Sequence, residues 1–345
     1  MNKRFIEKRL QEVIYPGLSK DIMSLKTVKK IEPNGDRLRI ELAISNESVF
    51  EEIESQIKDI FSKDFKFIDI AFLANQKPSL NYGNTSKPNN RAAYAKNIIA
   101  VTSGKGGVGK STVSVNLSVA LAQMGYKIGL LDADVYGPNT PRMLGVNDEK
   151  LEWNDEDKMI PSENYGIKLM SVGLTTPKSD TPLVWRSSVA VSALIQFLED
   201  VAWGELDFLV IDMPPGTGDI QLTMAQELPI TTSVIVTTPQ AISTDDVSRA
   251  VMMFKDISVP IGGIVENMSF FIAPDTGTKY DIFGSGGGEM IAKRYNVPLL
   301  GQIPLTMSIR ETSDAGKPAV VTDDSIQKGY YQNIARNLLA QMGVL

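Results

Sequence analysis

The residues best equipped for chemistry are Gly104-Lys105-Gly106-Gly107-Val108-Gly109-Lys110-Ser111, followed by Thr112. Their spacing satisfies G-x-x-x-x-G-K-[ST], the signature of a loop that cradles phosphate. Glycines let successive backbone N–H groups turn inward around phosphate oxygens, and a helix opening at the loop adds partial positive charge. Lys110 supplies a cation for β- and γ-phosphates, and the Ser111 hydroxyl is a ligand for Mg²⁺. The run from Gly104 to Thr112 is therefore the expected nucleotide-binding segment. Lys105 is a second lysine that an ordinary phosphate loop does not need. It is either a solvated loop charge or a second cation for the triphosphate, supplied across a dimer interface in the manner of an arginine finger.

Acids are expected to complete this site. Asp132 and Asp134 close the apolar run Leu130-Leu131 and face the phosphate loop. One would hold a magnesium-bound water and the other would orient the attacking water. Phe208-Leu209-Val210-Ile211-Asp212 is an apolar strand ending in an acid, a Walker B pattern that puts Asp212 near Mg²⁺. Gly216, in the loop that follows, is placed to offer its N–H to the γ-phosphate. Pro239, Gln240 and Asn267 follow two further apolar runs. They are either contacts to the base or plain turn residues.

These residues need a scaffold of strands ending on one side. Short apolar runs at 98–102, 127–131, 208–211, 232–237, 261–265 and 297–300 alternate with helical stretches, one of which runs to Met124 and stops at Gly125. Near-continuous apolar strands separated by helices indicate an α/β fold with a mostly parallel, doubly wound sheet. Ligands in such sheets bind beyond the carboxyl ends of the strands. Residues 98–345 are assigned to this P-loop ATPase domain.

Residues 1–74 form a separate small α+β domain: a helix through Ile6, Leu10 and Val13, strands over 22–31 and 38–44, a turn at Asn34-Gly35, a helix over 48–60 and a strand over 65–73. Residues 75–97 are rich in Asn, Ser, Pro and Lys and poor in large apolar side chains, the composition of a flexible linker.

Composition limits the chemistry. The 345 residues include no cysteine and no histidine. That excludes disulfides, a Cys nucleophile, a Ser-His-Asp triad, His/Cys zinc sites, and an iron–sulfur cluster held by thiolates of this chain alone. A net charge of −6 without a basic tract argues against nucleic-acid binding. No apolar run is long enough to span a membrane, and the charged N-terminus lacks the apolar core of a secretory signal, so a cytoplasmic location is expected.

The loop containing Lys105 resembles that of the deviant-Walker ATPases, the class of MinD, ParA and the nitrogenase iron protein. Within that class the chain resembles the Mrp/ApbC family of iron–sulfur cluster carriers. The resemblance lies in LDADVYGPNTPRMLG (131–145), IDMPPGTGDIQLTMAQ (211–226), TTPQAISTDDVSRAVMMF (237–254), GGIVENMSFF (262–271), IFGSGGGE (282–289) and LLGQIPL (299–305). The N-terminal segment resembles the MIP18-type domain often fused to this family. The resemblance implies ATP as nucleotide, a homodimer, and Lys105 reaching the partner's nucleotide. It implies that Lys105, Lys110 and Asp134 are catalytic, with Asp134 orienting water. Ser111, Asp132 and Asp212 are implied as the Mg²⁺ residues, and Asn267 as an adenine contact.

One departure from the family is chemical. Many members carry C-x-x-C shortly after E-N-M-S, through which two protomers share a cluster; here Ala273 and Thr276 occupy those positions. Alanine has no donor atom, and threonine is a hard, reluctant ligand for iron. Smaller departures are Asn139 and Ser187-Ser188. The leading expectation is a dimeric Mg-ATP-dependent ATPase acting on iron–sulfur apoproteins or scaffolds, with nucleotide reshaping the loops at Asp134 and Asp219. The alternative is an ATP-switched, MinD/ParA-like interaction protein without metal cargo. In MinD-like proteins a C-terminal helix binds membrane. Here the stripe Ile334, Leu338, Leu339, Met342 carries only Arg336 as nearby basic charge, a pattern better suited to core packing.

Overall fold

A computed structural model describes residues 3–16, 21–24, 27–42, 44, 49–72, 91–175, 187–323 and 325–344. The chain divides into two units, residues 1–85 and 86–345.

The first unit contains α1 (Lys3–Leu10), β1 (Val28–Asn34), β2 (Arg37–Leu42), α2 (Phe50–Phe61) and β3 (Phe67–Phe72). Alternation along β2 buries Leu38, Ile40 and Leu42 and exposes Arg37 and Arg39. β1 and β2 are antiparallel, joined at Gly35-Asp36 with Gly35 at φ +58°, and β3 adds in parallel beside β2. Ile6 and Leu10 of α1 and Ile53, Ile57 and Phe61 of α2 form the core with the inner strand residues. The strand expected from Ile22 starts only at Val28. Asp21 accounts for the delay: its carboxylate accepts the N–H groups of Met23 and Ser24, which turns the backbone away from a ladder.

The second unit opens with β4 (Ala95–Ser103), α3 (Lys110–Gln123), β5 (Ile128–Asp132) and α4 (Thr140–Met143). There follow the hairpin β6 (Glu152–Trp153) and β7 (Met159–Ile160), then β8 (Ser162–Asn164), β9 (Ile167–Ser171), α5 (Val172–Thr175) and α6 (Ser187–Glu199). Next come β10 (Leu206–Asp212), α7 (Asp219–Glu227), β11 (Thr232–Thr237), α8 (Ala241–Asp256) and β12 (Ile261–Glu266). The chain ends with the hairpin β13 (Phe271–Ile272) and β14 (Lys279–Tyr280), α9 (Gly287–Tyr295), β15 (Leu299–Gln302), α10 (Met307–Asp314), a 3₁₀ turn (Ala319–Val321) and α11 (Ser325–Met342).

Eight strands form one sheet in the order β15-β12-β11-β4-β10-β5-β9-β8. Every pair is parallel except β8 with β9. Alternate residues of each strand face opposite layers. Ile99, Val101, Val210 and Val234 pack on α3 and α11, whereas Ile98, Ala100, Leu209 and Ile211 pack on α6 and α7. The doubly wound reading holds. The strand Ile167–Ser171 was not legible because Lys168 interrupts its apolar run; that ammonium reaches the Trp203 carbonyl at 2.8 Å.

Of the linker expected over 75–97, residues 75–90 lie outside those described. Its end needs correction. Ala95-Lys96-Asn97 belong to β4, paired in register with Leu206–Phe208, and Ala92 is buried. Cross-strand contacts order these small and polar residues: Leu206 N–H donates to the Tyr94 carbonyl at 2.8 Å, and Lys96 pairs with Asp207. In the C-terminal helix, Ile334, Leu338 and Leu339 are fully buried in the sheet's core and Met342 packs against it. Among the described residues, no helix is long and apolar enough to cross a membrane.

Candidate active site

The central strand β4 runs into the loop 104–109, and α3 begins at Lys110. Gly107 and Gly109 take φ +80° and +84°, which a side chain would oppose. Gly104 is needed for a different reason, since a Cβ there would lie 2.3 Å from the backbone of Asp246 on α8. Val108 is buried, and its carbonyl accepts the Asn267 side-chain amide at 2.8 Å. Thr112, half-buried on the first turn of α3, lends its carbonyl to Asn116.

Lys110, Ser111 and Asp212 converge. Lys110 Nζ lies 2.7 Å from Asp212 Oδ1 and 3.9 Å from Asp134 Oδ2. Ser111 Oγ donates to Asp212 Oδ2 at 2.6 Å. Parallel registers bring Val101 of β4, Asp212 of β10 and Asp132 of β5 side by side at the carboxyl ends of their strands. Ser114, which motif reading passed over, donates to Asp212 Oδ1 at 2.6 Å. Its signal was a small polar residue on an otherwise buried helix, one turn after Ser111.

Asp132 is fully buried and held by four donors. Its Oδ1 accepts the Asp134 N–H at 3.1 Å; its Oδ2 accepts the Thr140 N–H at 3.3 Å, the Thr140 hydroxyl at 2.8 Å and the Ser171 hydroxyl at 3.1 Å. Burial, and then the neighbouring Asp212, push its pKa up to about 7. Burial also raises Asp134, against the pull of Lys110. Three carboxyl groups thus face a single lysine.

That imbalance and the hard oxygen donors fit Mg²⁺. Ser111 and Asp212 are the residues in position to hold it directly or through water. Asp132 lies beside Asp212 in the strand register, its carboxyl group tying down the Asp134–Thr140 loop through three of its four bonds.

The remaining candidates fall at the same end of the sheet. Lys105 is half-buried, with Nζ 3.5 Å from Gln240 Oε1. Pro239 is buried against the start of α9, where a Cβ on Gly287 would meet its carbonyl oxygen at 2.6 Å. Gly216 takes φ +97°, but its N–H donates to the Ser103 carbonyl at 3.0 Å. It therefore does not point at the phosphate site in this arrangement, and would do so only after that bond breaks. Gly106 is exposed, and a Cβ there would lie 4.0 Å from Pro215 of the loop that follows β10. Residues 176–186 and the side chains of Ser187, Ser188 and Asp219 lie outside those described.

A model of the ParA family, described as NUBPL iron-transfer P-loop NTPase, matches residues 94–339. The chain belongs to this family. It is thus a nucleotide-binding P-loop NTPase of the ParA group, and the ATPase assignment made from the loop stands. Among ParA-family relatives, an iron–sulfur cluster carrier protein of Haemophilus influenzae is 44% identical over 335 residues, covering 95% of this chain and 89% of that one. One from Escherichia coli K12 is 41% identical over 333 residues, with 95% and 89% covered. Of solved structures, a nucleotide-binding protein from Archaeoglobus fulgidus in complex with ADP matches with TM-score 0.59 at 38% identity, covering 67% of this chain and 90% of that one. The cell-division ATPase MinD of Pyrococcus furiosus matches with TM-score 0.54 at 26% identity, covering 71% and 98%.

The two positions at which the resemblance implied cysteines, Ala273 and Thr276, lie at the tip of the β13–β14 hairpin. Ala273 N–H bonds the Thr278 carbonyl at 2.9 Å, and Gly277 N–H bonds the Ala273 carbonyl at 2.8 Å. Thr276 is exposed, and its hydroxyl accepts the Thr278 N–H at 3.3 Å. Among the described residues no group of three or more Asp or Glu could by itself hold a metal ion. This donor set does not fit an iron–sulfur cluster.

Proposed function

We propose that this chain is a Mg²⁺-ATP-dependent ATPase, working as a cytoplasmic homodimer, that drives handover of iron–sulfur clusters held by the thiols of other molecules. The observation that carries the ATPase reading is the convergence of Lys110, Ser111 and Asp212 under the phosphate loop. ATP would enter with its phosphates on the loop's N–H groups. Lys110 would leave Asp212 for the β- and γ-oxygens, and Mg²⁺ would offset the carboxylate charge left behind. Asp134 would orient a water against the γ-phosphorus; the bond to the ADP oxygen breaks as the water oxygen bonds phosphorus. Lys105 of a second copy would stabilise the charge that develops on the transferred group. Asn267 and Pro239 would line the base side.

The cluster is cargo here, not a resident group. Its iron would be ligated by partner or small-molecule thiols, because Ala273 and Thr276 replace the family's cysteines. Anaerobic incubation with iron and sulfide, with and without added thiols and ATP, tests this. ATP-responsive cluster that appears only with thiols supports the proposal. No cluster under any condition, with ATP hydrolysis intact, favours the second reading: an ATP-switched interaction protein like MinD. The missing thiols are the observation behind that alternative.

A further inference from the structure

Glu266, at the end of β12, is fully buried, and among the described residues no Lys or Arg lies within ion-pair distance of it. Its carboxyl group is bonded by three different parts of the chain. Oε2 accepts the Gly288 N–H, in the first turn of α9, at 2.5 Å. Oε1 accepts Gln302 Nε2 of the neighbouring strand β15 at 2.8 Å, and it also accepts the Ser269 hydroxyl. A buried carboxyl group without a cation is expensive unless donors surround it. Here a helix N-terminus provides both a donor and favourable dipole. Gly288 allows that approach, because a Cβ there would stand 3.0 Å from the carboxylate.

The next residue, Asn267, braces the phosphate loop through the Val108 carbonyl. The residue after that, Met268, sits at φ +53°, a left-handed conformation that is strained for a long side chain. Ser269 then starts the segment leading to the hairpin. Its N–H bonds the Ile303 carbonyl, and Leu305 N–H bonds the Phe270 carbonyl, so the hairpin is anchored immediately beyond the strained turn. Glu266 thus holds both ends of that turn. On one side it seats the backbone from which Asn267 reaches the loop; on the other it tethers Ser269.

We propose that Glu266 is a positioning residue that couples nucleotide occupancy of the phosphate loop to the conformation of the β13–β14 hairpin. The inference rests on the ATP-site reading above. When phosphate draws the loop inward, Asn267 follows Val108, Met268 shifts, and the Glu266–Ser269 bond transmits that shift to residues 270–280. Glu266→Gln keeps the shape but puts an NH₂ group against the Gly288 or Gln302 donor. Ser269→Ala cuts only the tether to the hairpin.

The test uses the full chain, steady-state ATPase kinetics, and hydrogen exchange of residues 268–282 with and without a slowly hydrolysed ATP analogue. In the native protein the analogue changes exchange in this segment. Glu266→Gln raises KM for ATP about tenfold, the effect of one buried hydrogen bond turned into a donor–donor contact, and abolishes the exchange response. Ser269→Ala is the small-scale variant: KM stays within about twofold and the exchange response is still lost. The proposal falls if either variant keeps the native exchange response, or if Glu266→Gln keeps native KM. It also falls, alone, if the native protein binds the analogue without any change in the hairpin. If the native protein binds no ATP analogue, the site reading falls with it.

Discussion

Lys110 and Asp212 form a buried ion pair, 2.7 Å from Nζ to Oδ1, beneath the loop that receives phosphate. The lysine is therefore parked on a carboxylate that also holds the Ser111 and Ser114 hydroxyls. On the proposed mechanism, nucleotide binding would exchange one anion for another around the same cation.

Replacing Lys110 by Ala removes the phosphate's cation and strands two buried carboxyl groups, Asp132 and Asp212. ATP binding should be lost, and the nucleotide-free protein should unfold about 3 kcal/mol more easily, the usual penalty for breaking a buried pair. Titration calorimetry and urea unfolding measure the two effects. Native ATP affinity in the variant would refute the site assignment.

Lys105 carries no carboxylate partner in the ion pairs of the described residues and lies at the loop's rim beside Gln240. Lys105→Ala should keep ATP affinity within a few-fold and lower kcat by about 10³, as expected when a charge-stabilising finger is removed. Unchanged turnover in a single-turnover assay would leave it as a solvated loop charge.

Ser111 is placed to share a cation with Asp212. Ser111→Ala should abolish the difference in ATP affinity between Mg²⁺ and EDTA buffers while leaving weak, metal-independent binding. Chelation of Mg²⁺ should stop hydrolysis in the native protein. Binding measured by fluorescent-nucleotide displacement decides the first point; a variant that still gains affinity from Mg²⁺ would move the metal elsewhere.

Gly109 tolerates no side chain for two reasons: its φ is +84°, and a Cβ would lie 2.1 Å from Asn267 Nδ2. Gly109→Ala should push Asn267 off the Val108 carbonyl and weaken ATP binding by about 2 kcal/mol or more. Gly107→Ala shares the positive φ but meets no neighbouring atom. It should cost about 1 kcal/mol, so the affinity ranking of the two variants isolates the contact from the backbone strain.

Much of this site could be read locally. The phosphate loop is a contiguous motif, and each acid sits at the end of its own apolar run, so β4, β5 and β10 and the meeting of Lys110, Ser111 and Asp212 follow from short-range pattern. The same holds for β2, whose alternation buries Leu38, Ile40 and Leu42. Legibility failed wherever order comes from a distant partner. Ala95–Asn97 look like linker because their strand is completed by Leu206–Phe208, more than a hundred residues later. Gly216 reads as a phosphate donor until Ser103 is seen to hold its N–H. That the Asn267 amide braces the Val108 carbonyl is likewise invisible along the chain, since the two residues lie far apart in sequence.

The sequence alone determined the class of chemistry: a phosphate loop, acids on neighbouring strand ends, and no thiol or imidazole anywhere. Those are properties of residue type and close spacing, and backbone periodicity carries them directly. Only the tertiary structure decided that Asp132 is locked by Thr140 and Ser171, that Ser114 shares Asp212, and that Glu266 ties α9, β15 and the hairpin together. Each of those depends on a buried polar atom finding a donor from another element, and such pairings are settled by how the sheet is wound, not by any pattern along the chain.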